Sequence, residues 1–173
     1  MGWTNPHIPW ALNNAYANRV LYGALDGMAE AEFCAVRPGA FPSLCATLNH
    51  VYEVDLYYLD ALTEGGRGRA VYDRGLVRDW QALARLQAEA DLQLAMFCQK
   101  LTAEDMTRRV ATERRDQTVT EEIGAILPHL FQHQVHHRGQ AHVQLAHAGV
   151  APPQLDEFFL EYERAEIARQ YFG

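Results

Sequence analysis

Five of the chain's eight histidines fall within one short stretch, His129-Leu-Phe-Gln-His133-Gln-Val-His136-His137-Arg138-Gly139-Gln140-Ala-His142. Neutral imidazole is the commonest protein metal ligand, and two imidazoles four residues apart stand one above the other on a single helix face. At 100° per residue, Ile123, Leu130, Ala141 and Ala148 form an apolar arc with Leu127 and Leu145 on one shoulder and Ile126 on the other. His137 falls inside this stripe and His133 on its edge. His129, His136 and His147 are rotated further round, and His142 lies on the opposite flank. Periodicity therefore selects His133 and His137 as the inward-pointing pair.

Two imidazoles in an apolar interior carry ring nitrogens that need partners, at about 1–3 kcal/mol for each left unpaired. A shared metal ion satisfies both; the alternative is that each hydrogen-bonds a backbone carbonyl or a neighbouring side chain. A third ligand has to come from a facing helix. His50, beside the stripe of Leu44, Val51, Tyr58 and Leu62, is the best placed, and His7, near the N-terminus and next to prolines, is a weaker candidate. Three imidazoles leave an open position on Zn, or more than one on Ni or Fe, and an open position separates a reactive site from a closed structural one. Water bound there could have its pKa lowered to about 7. Competing motifs fail residue by residue. The HExxH pattern needs Glu where Gln134 stands, and no Glu precedes a histidine by three positions as a ferritin-like di-iron site requires.

These residues need elements to hold them. Hydrophobic spacing predicts a first helix from Trp10 to about Ala31. A second follows, capped by Ser43 and stopped by Gly65-Gly66, then an irregular Gly-rich crossover, then a third helix capped by Asp79 and running to Leu101. The charged stretch between Arg108 and Thr118 breaks helical periodicity and could hold a short extended piece. A fourth helix is expected from Thr120 to Ala148, kinked or split at Pro128, with Gly149 as its stop and Pro152-Pro153 beyond. A short fifth covers Asp156–Arg169. The expected fold is all-α: a four-helix bundle with long crossover connections and a short C-terminal fifth helix, in one domain over residues 1–173.

Composition narrows the partners. Fifteen Lys and Arg against 22 Asp and Glu give a net charge of −7, which repels phosphate backbones, and no basic run offsets it, so nucleic acid is not an expected partner. No apolar stretch approaches the ~18 residues of a membrane span and the N-terminus lacks a signal-peptide pattern, so a soluble, cytoplasmic protein is expected. Cys34, Cys45 and Cys98 show no CxxC spacing and read as buried free thiols. There is no Ser-His-Asp arrangement and no Gly-rich phosphate loop.

The chain resembles the DinB family of helical-bundle metalloenzymes over nearly its whole length. The segment His133-Gln-Val-His-His137-Arg138-Gly139-Gln140 matches the family's HxxHHRGQ pattern. Leu48-Asn49-His50 with Asp55, Tyr16-Ala17-Asn18, and Gly149-Val-Ala-Pro152-Pro153 with Asp156 match weaker signatures. The resemblance implies a divalent metal ion (Zn, Ni or Fe) held by His50, His133 and His137. It also implies a homodimer, and thiol-dependent transferase or isomerase chemistry with mycothiol or bacillithiol as in characterised relatives. Arg138 either clamps Asp55 or is a solvated arginine, Gln140 either supports a ligand or bound water or is a helix-surface amide, and His136 and His129 are surface histidines unless one serves as general base. Tyr16, Asn18 and Tyr58 either line the pocket mouth or are plain core. The expected function is metal-assisted attack of a bound thiol or water on a small electrophile, as an S-transferase before a hydrolase; the alternative is a non-catalytic, dimeric metal-binding stress protein.

Overall fold

The computed structural model describes residues 4–172. Six α-helices and a two-stranded sheet follow in chain order, α1 (His7–Gly23), α2 (Glu30–Phe33), α3 (Leu44–Leu62), α4 (Trp80–Lys100), β1 (Arg109–Glu113), β2 (Thr118–Glu122), α5 (Ile123–His147) and α6 (Glu166–Arg169), with short 3-10 helices at Gly68–Asp73 and Glu104–Thr107. Among them, α1 packs on α4 and α5, and α3 packs on the same two helices from the other side. The core lies between these four. Its fully buried side chains include Leu21, Leu48, Leu62, Leu83, Leu94 and Leu127. No described helix is long and apolar enough to cross a membrane.

Local chemistry sets the helix ends. Ser43 Oγ accepts from the Ala46 amide (3.1 Å) at the start of α3, and Asp79 Oδ1 accepts from the amides of Gln81 (2.9 Å) and Ala82 (3.2 Å) at the start of α4. At the end of α5, Gly149 takes a φ of +76° and the Val150 amide reaches back to the Leu145 carbonyl (3.0 Å), the glycine-dependent closure of a Schellman turn.

Four expected boundaries are corrected. The first helix stops at Gly23 instead of Ala31: the chain turns through Gly27 (φ +78°) so that Leu25 and Phe33 can both be buried, and α2 is a separate single turn. The last long helix starts at Ile123, not Thr120. Thr118–Glu122 pairs antiparallel with Arg109–Glu113, Val110 opposite Glu121, because the β-branched residues of both segments suit a strand and Val110 and Thr112 bury one face. Of the kink or split expected at Pro128, the split does not occur, and the helix runs through it as one element. Finally, Asp156–Arg169 is helical only over Glu166–Arg169. Phe158 turns inward to pack against Tyr16 (5.5 Å between centroids) and Phe172 (4.8 Å), and Glu163 reverses the chain at φ +57°.

Candidate metal centre

α3 and α5 face each other, and their contact brings the three candidate ligands together. His50 comes from α3, and His133 and His137 come from successive turns of α5. One nitrogen from each lies within 4.8 Å of the others, and no other such group exists among the described residues. His50 Nε2 and His133 Nε2 stand 3.1 Å apart. A tetrahedral ion with metal–nitrogen bonds of about 2.0–2.1 Å spaces its ligands by roughly 3.3 Å, so the pair has the separation of one tetrahedron edge. The donor set fits a divalent metal ion.

The ring chemistry agrees. Gln140 Oε1 lies 2.8 Å from His137 Nδ1, and Gln140 Nε2 lies 2.9 Å from His136 Nε2. The amide therefore accepts from Nδ1–H of His137 and donates to His136, which leaves Nε2 as the lone-pair nitrogen of His137. Burial, followed by the neighbouring His137, pushes the His50 imidazole down to about 4. Burial and the surrounding histidines push His133 down to about 3, and burial lowers His137. All three are neutral at pH 7, as ligation requires.

Of the remaining histidines, His136 has its ring 4.8 Å from that of His137, while His129 is exposed, packed edge-on against Tyr58 (5.2 Å) and 6.4 Å from His133. His7, His142 and His147 lie outside the group. Tyr16 is core, 1% exposed, and lines no pocket mouth. Cys45 and Cys98 are buried free thiols as expected, whereas Cys34 is only half-buried.

The expected clamp of Arg138 on Asp55 does not form. Arg138 Nη1 donates to Asn14 Oδ1 (2.6 Å), Asn18 Oδ1 (3.0 Å) and Gln134 Oε1 (3.2 Å). Asp55 Oδ2 accepts from Gln87 Nε2 (2.6 Å) and from Gln134 Nε2. An amide is thus interposed between guanidinium and carboxylate, because Gln134, one residue after His133, points back into the core.

Several contributors went unread in the sequence. The Phe41 ring lies over the site, 4.5 Å from His50 and 5.6 Å from His137. Its backbone carbonyl accepts from Gln144 Nε2 (2.8 Å), and Gln144 Oε1 accepts from Thr47 Oγ1 (2.7 Å), so a buried glutamine ties the loop before α3 to α5. Buried amides at 134 and 144 of a helix with buried positions every three to four residues were the one available clue.

A DinB family model matches residues 10–169. No curated protein matches the chain at a significant level. Among solved structures, a DinB-like protein from Bacillus cereus ATCC 10987, determined by crystallography at 2.01 Å, has a TM-score of 0.63 and 19% identity, covering 80% of this chain and 90% of that one. At that identity the likeness speaks for the fold. With the family model spanning nearly all of it, the chain belongs to the DinB family.

Proposed function

We propose that this protein is a four-helix-bundle, metal-dependent transferase that joins a low-molecular-weight thiol of the mycothiol or bacillithiol kind to a small electrophile. The observation that carries the reading is the convergence of three neutral imidazoles, His50, His133 and His137, with no fourth His, Cys, Asp or Glu in the group among the described residues. These three residues would hold a divalent ion, which would supply the Lewis acidity to lower the pKa of a nearby thiol or water.

The chain's own groups do the rest. Gln140 fixes the tautomer of His137 through Nδ1, and Phe41 keeps water from the apolar side of His50. The thiol proton needs an acceptor, and His136 is nearer the ligands than His129. Its Nε2 already accepts from Gln140, so proton uptake at that atom requires the amide to turn away. The transfer forms the carbon–sulfur bond while the electrophile's leaving group departs with its electron pair. A cytoplasmic homodimer belongs to the same reading.

The test is metal analysis of the purified protein followed by turnover of a thiol with an aromatic halide. About one Zn, Ni or Fe per chain is expected, with activity abolished by chelation and in His137→Ala. Full activity after chelation refutes the proposal. Metal-dependent melting without any turnover across a thiol and electrophile panel also refutes it, in favour of a non-catalytic metal-binding stress protein.

A further inference from the structure

Behind the histidines, seven polar side chains from four helices are buried together: Asn14 and Asn18 of α1, Asp55 of α3, Gln87 and Asp91 of α4, and Gln134 and Arg138 of α5. Arginine can only donate and an ionised carboxylate can only accept, so every amide between them has its orientation fixed. Asn14 and Asn18 accept from Arg138 through oxygen and donate through nitrogen to Asp91 (3.0 Å each to Oδ1, with Asn18 also 3.1 Å from Oδ2). Gln134 accepts from Arg138 and donates to Asp55. Gln87 Nε2 donates to Asp55 Oδ2 (2.6 Å) and to Asp91 Oδ1 (3.2 Å).

Two acceptors are then left over. Asp55 Oδ1 and Gln87 Oε1 are buried with no partner, on side chains already joined through their other atoms. Two carboxylates and one guanidinium, each no more than 4% exposed, also leave one negative charge in excess in a site largely shut off from water, which is unfavourable. One hydrogen answers both deficits. Asp91 has donors on both oxygens and no need of it, whereas Asp55 has one oxygen empty.

We propose that Asp55 is a neutral carboxylic acid in the folded protein, donating from Oδ1 to Gln87 Oε1, and that in this form it is the positioning residue that joins α3 to α4 and α5 behind the metal ligands. It shares α3 with His50 and is one hydrogen bond from Gln134, the neighbour of His133. The positioning role rests on the metal-centre reading; the protonation state does not. The groups facing Asp55 are Asp91 from α4, Arg138 from α5, Tyr22 from α1, whose hydroxyl is also buried without a partner, and Tyr52 on its own helix. Burial, then the Asp91 charge, raises the pKa of Asp55, with Arg138 opposing.

The first measurement is carboxyl carbon NMR of the full wild-type chain across pH 4–8. Asp55 is expected to stay protonated well above the ordinary carboxylate pKa of about 3.9; titration within the ordinary range overturns the proposal. The second compares variants by melting temperature and by Zn²⁺ competition titration. Asp55→Asn, which supplies N–H where the acid has O–H, should melt within about 3 °C of wild type, while Asp91→Asn leaves Arg138 uncompensated and should melt about 10 °C lower. Equal losses in the two overturn the assignment. Asp55→Ala should weaken Zn²⁺ binding about tenfold or more, with Asn at the same position restoring it; unchanged affinity in Asp55→Ala overturns the positioning role. If wild type binds no Zn²⁺, the metal reading fails and the carboxyl titration still decides the protonation state.

Discussion

Arg138→Met is the most informative single change away from the metal ligands. Arg138 is 4% exposed and donates to three amide oxygens, those of Asn14, Asn18 and Gln134. Methionine keeps the length and apolar stem, so little of the loss comes from a cavity. What disappears is the positive charge facing Asp91 and the donor to three buried oxygens. Each unsatisfied buried acceptor costs about 1–3 kcal/mol, and removing one partner of a buried charge pair costs about 3–5 kcal/mol. These overlap in one network and do not add, so about 3–5 kcal/mol is expected. For a chain of 173 residues this is a fall in melting temperature of roughly 6–20 °C. The loss must also depend on pH. Burial already raises the carboxyls of Asp55 and Asp91, and Arg138 opposes that rise. A raised carboxyl contributes stability that is lost as pH rises from the ordinary carboxylate range through the folded value. Without the guanidinium that decline steepens, and the deficit is larger at pH 8 than at pH 5. Urea unfolding of wild type and variant at both pH values measures it. A loss below about 1 kcal/mol, or one equal at the two pH values, would refute the relay of charge through the amides.

Further outcomes follow from the same structure. His50 and His133 are held down at about 4 and 3 when folded, against about 6.5 for an unperturbed histidine. The unfolded chain therefore binds more protons between these values, and this contribution to stability is present above pH 6.5 and lost as pH falls toward 4. With chelator present, replacing both by Gln should flatten the difference in melting temperature between pH 6.5 and 4.5; an unchanged slope contradicts the assignment. Two helical glycines should respond with opposite sign. Gly139→Ala meets nothing within 4 Å and should stabilise by up to about 1 kcal/mol. Gly124→Ala would place its Cβ 2.9 Å from the Met106 carbonyl oxygen and should destabilise despite the better helix propensity, as thermal melts of the two variants will report.

What could be read in the sequence is what neighbouring residues decide. Ser43 and Asp79 announce α3 and α4 because a cap bonds to amides two or three residues away. The inward phase of His137, with His133 on the stripe's edge, follows from the 3.6-residue period of one helix, and Gly149 marks its end because only a positive φ closes that turn. Thr120–Glu122 and Asp156–Arg169 read as helical because their real constraints lie elsewhere, in a pairing with Arg109–Glu113 and in Phe158 packing against Tyr16. The histidine pair became a three-ligand group only where α3 meets α5, and periodicity could place His50 no better than beside an apolar stripe. Arg138 and Asp55 look like natural ion-pair partners by residue type; their true partners are amides, and all of them except Gln134 beside Arg138 come from other helices, because a buried polar group is satisfied by whatever the packed helices bring within hydrogen-bond reach, and sequence distance carries no record of that.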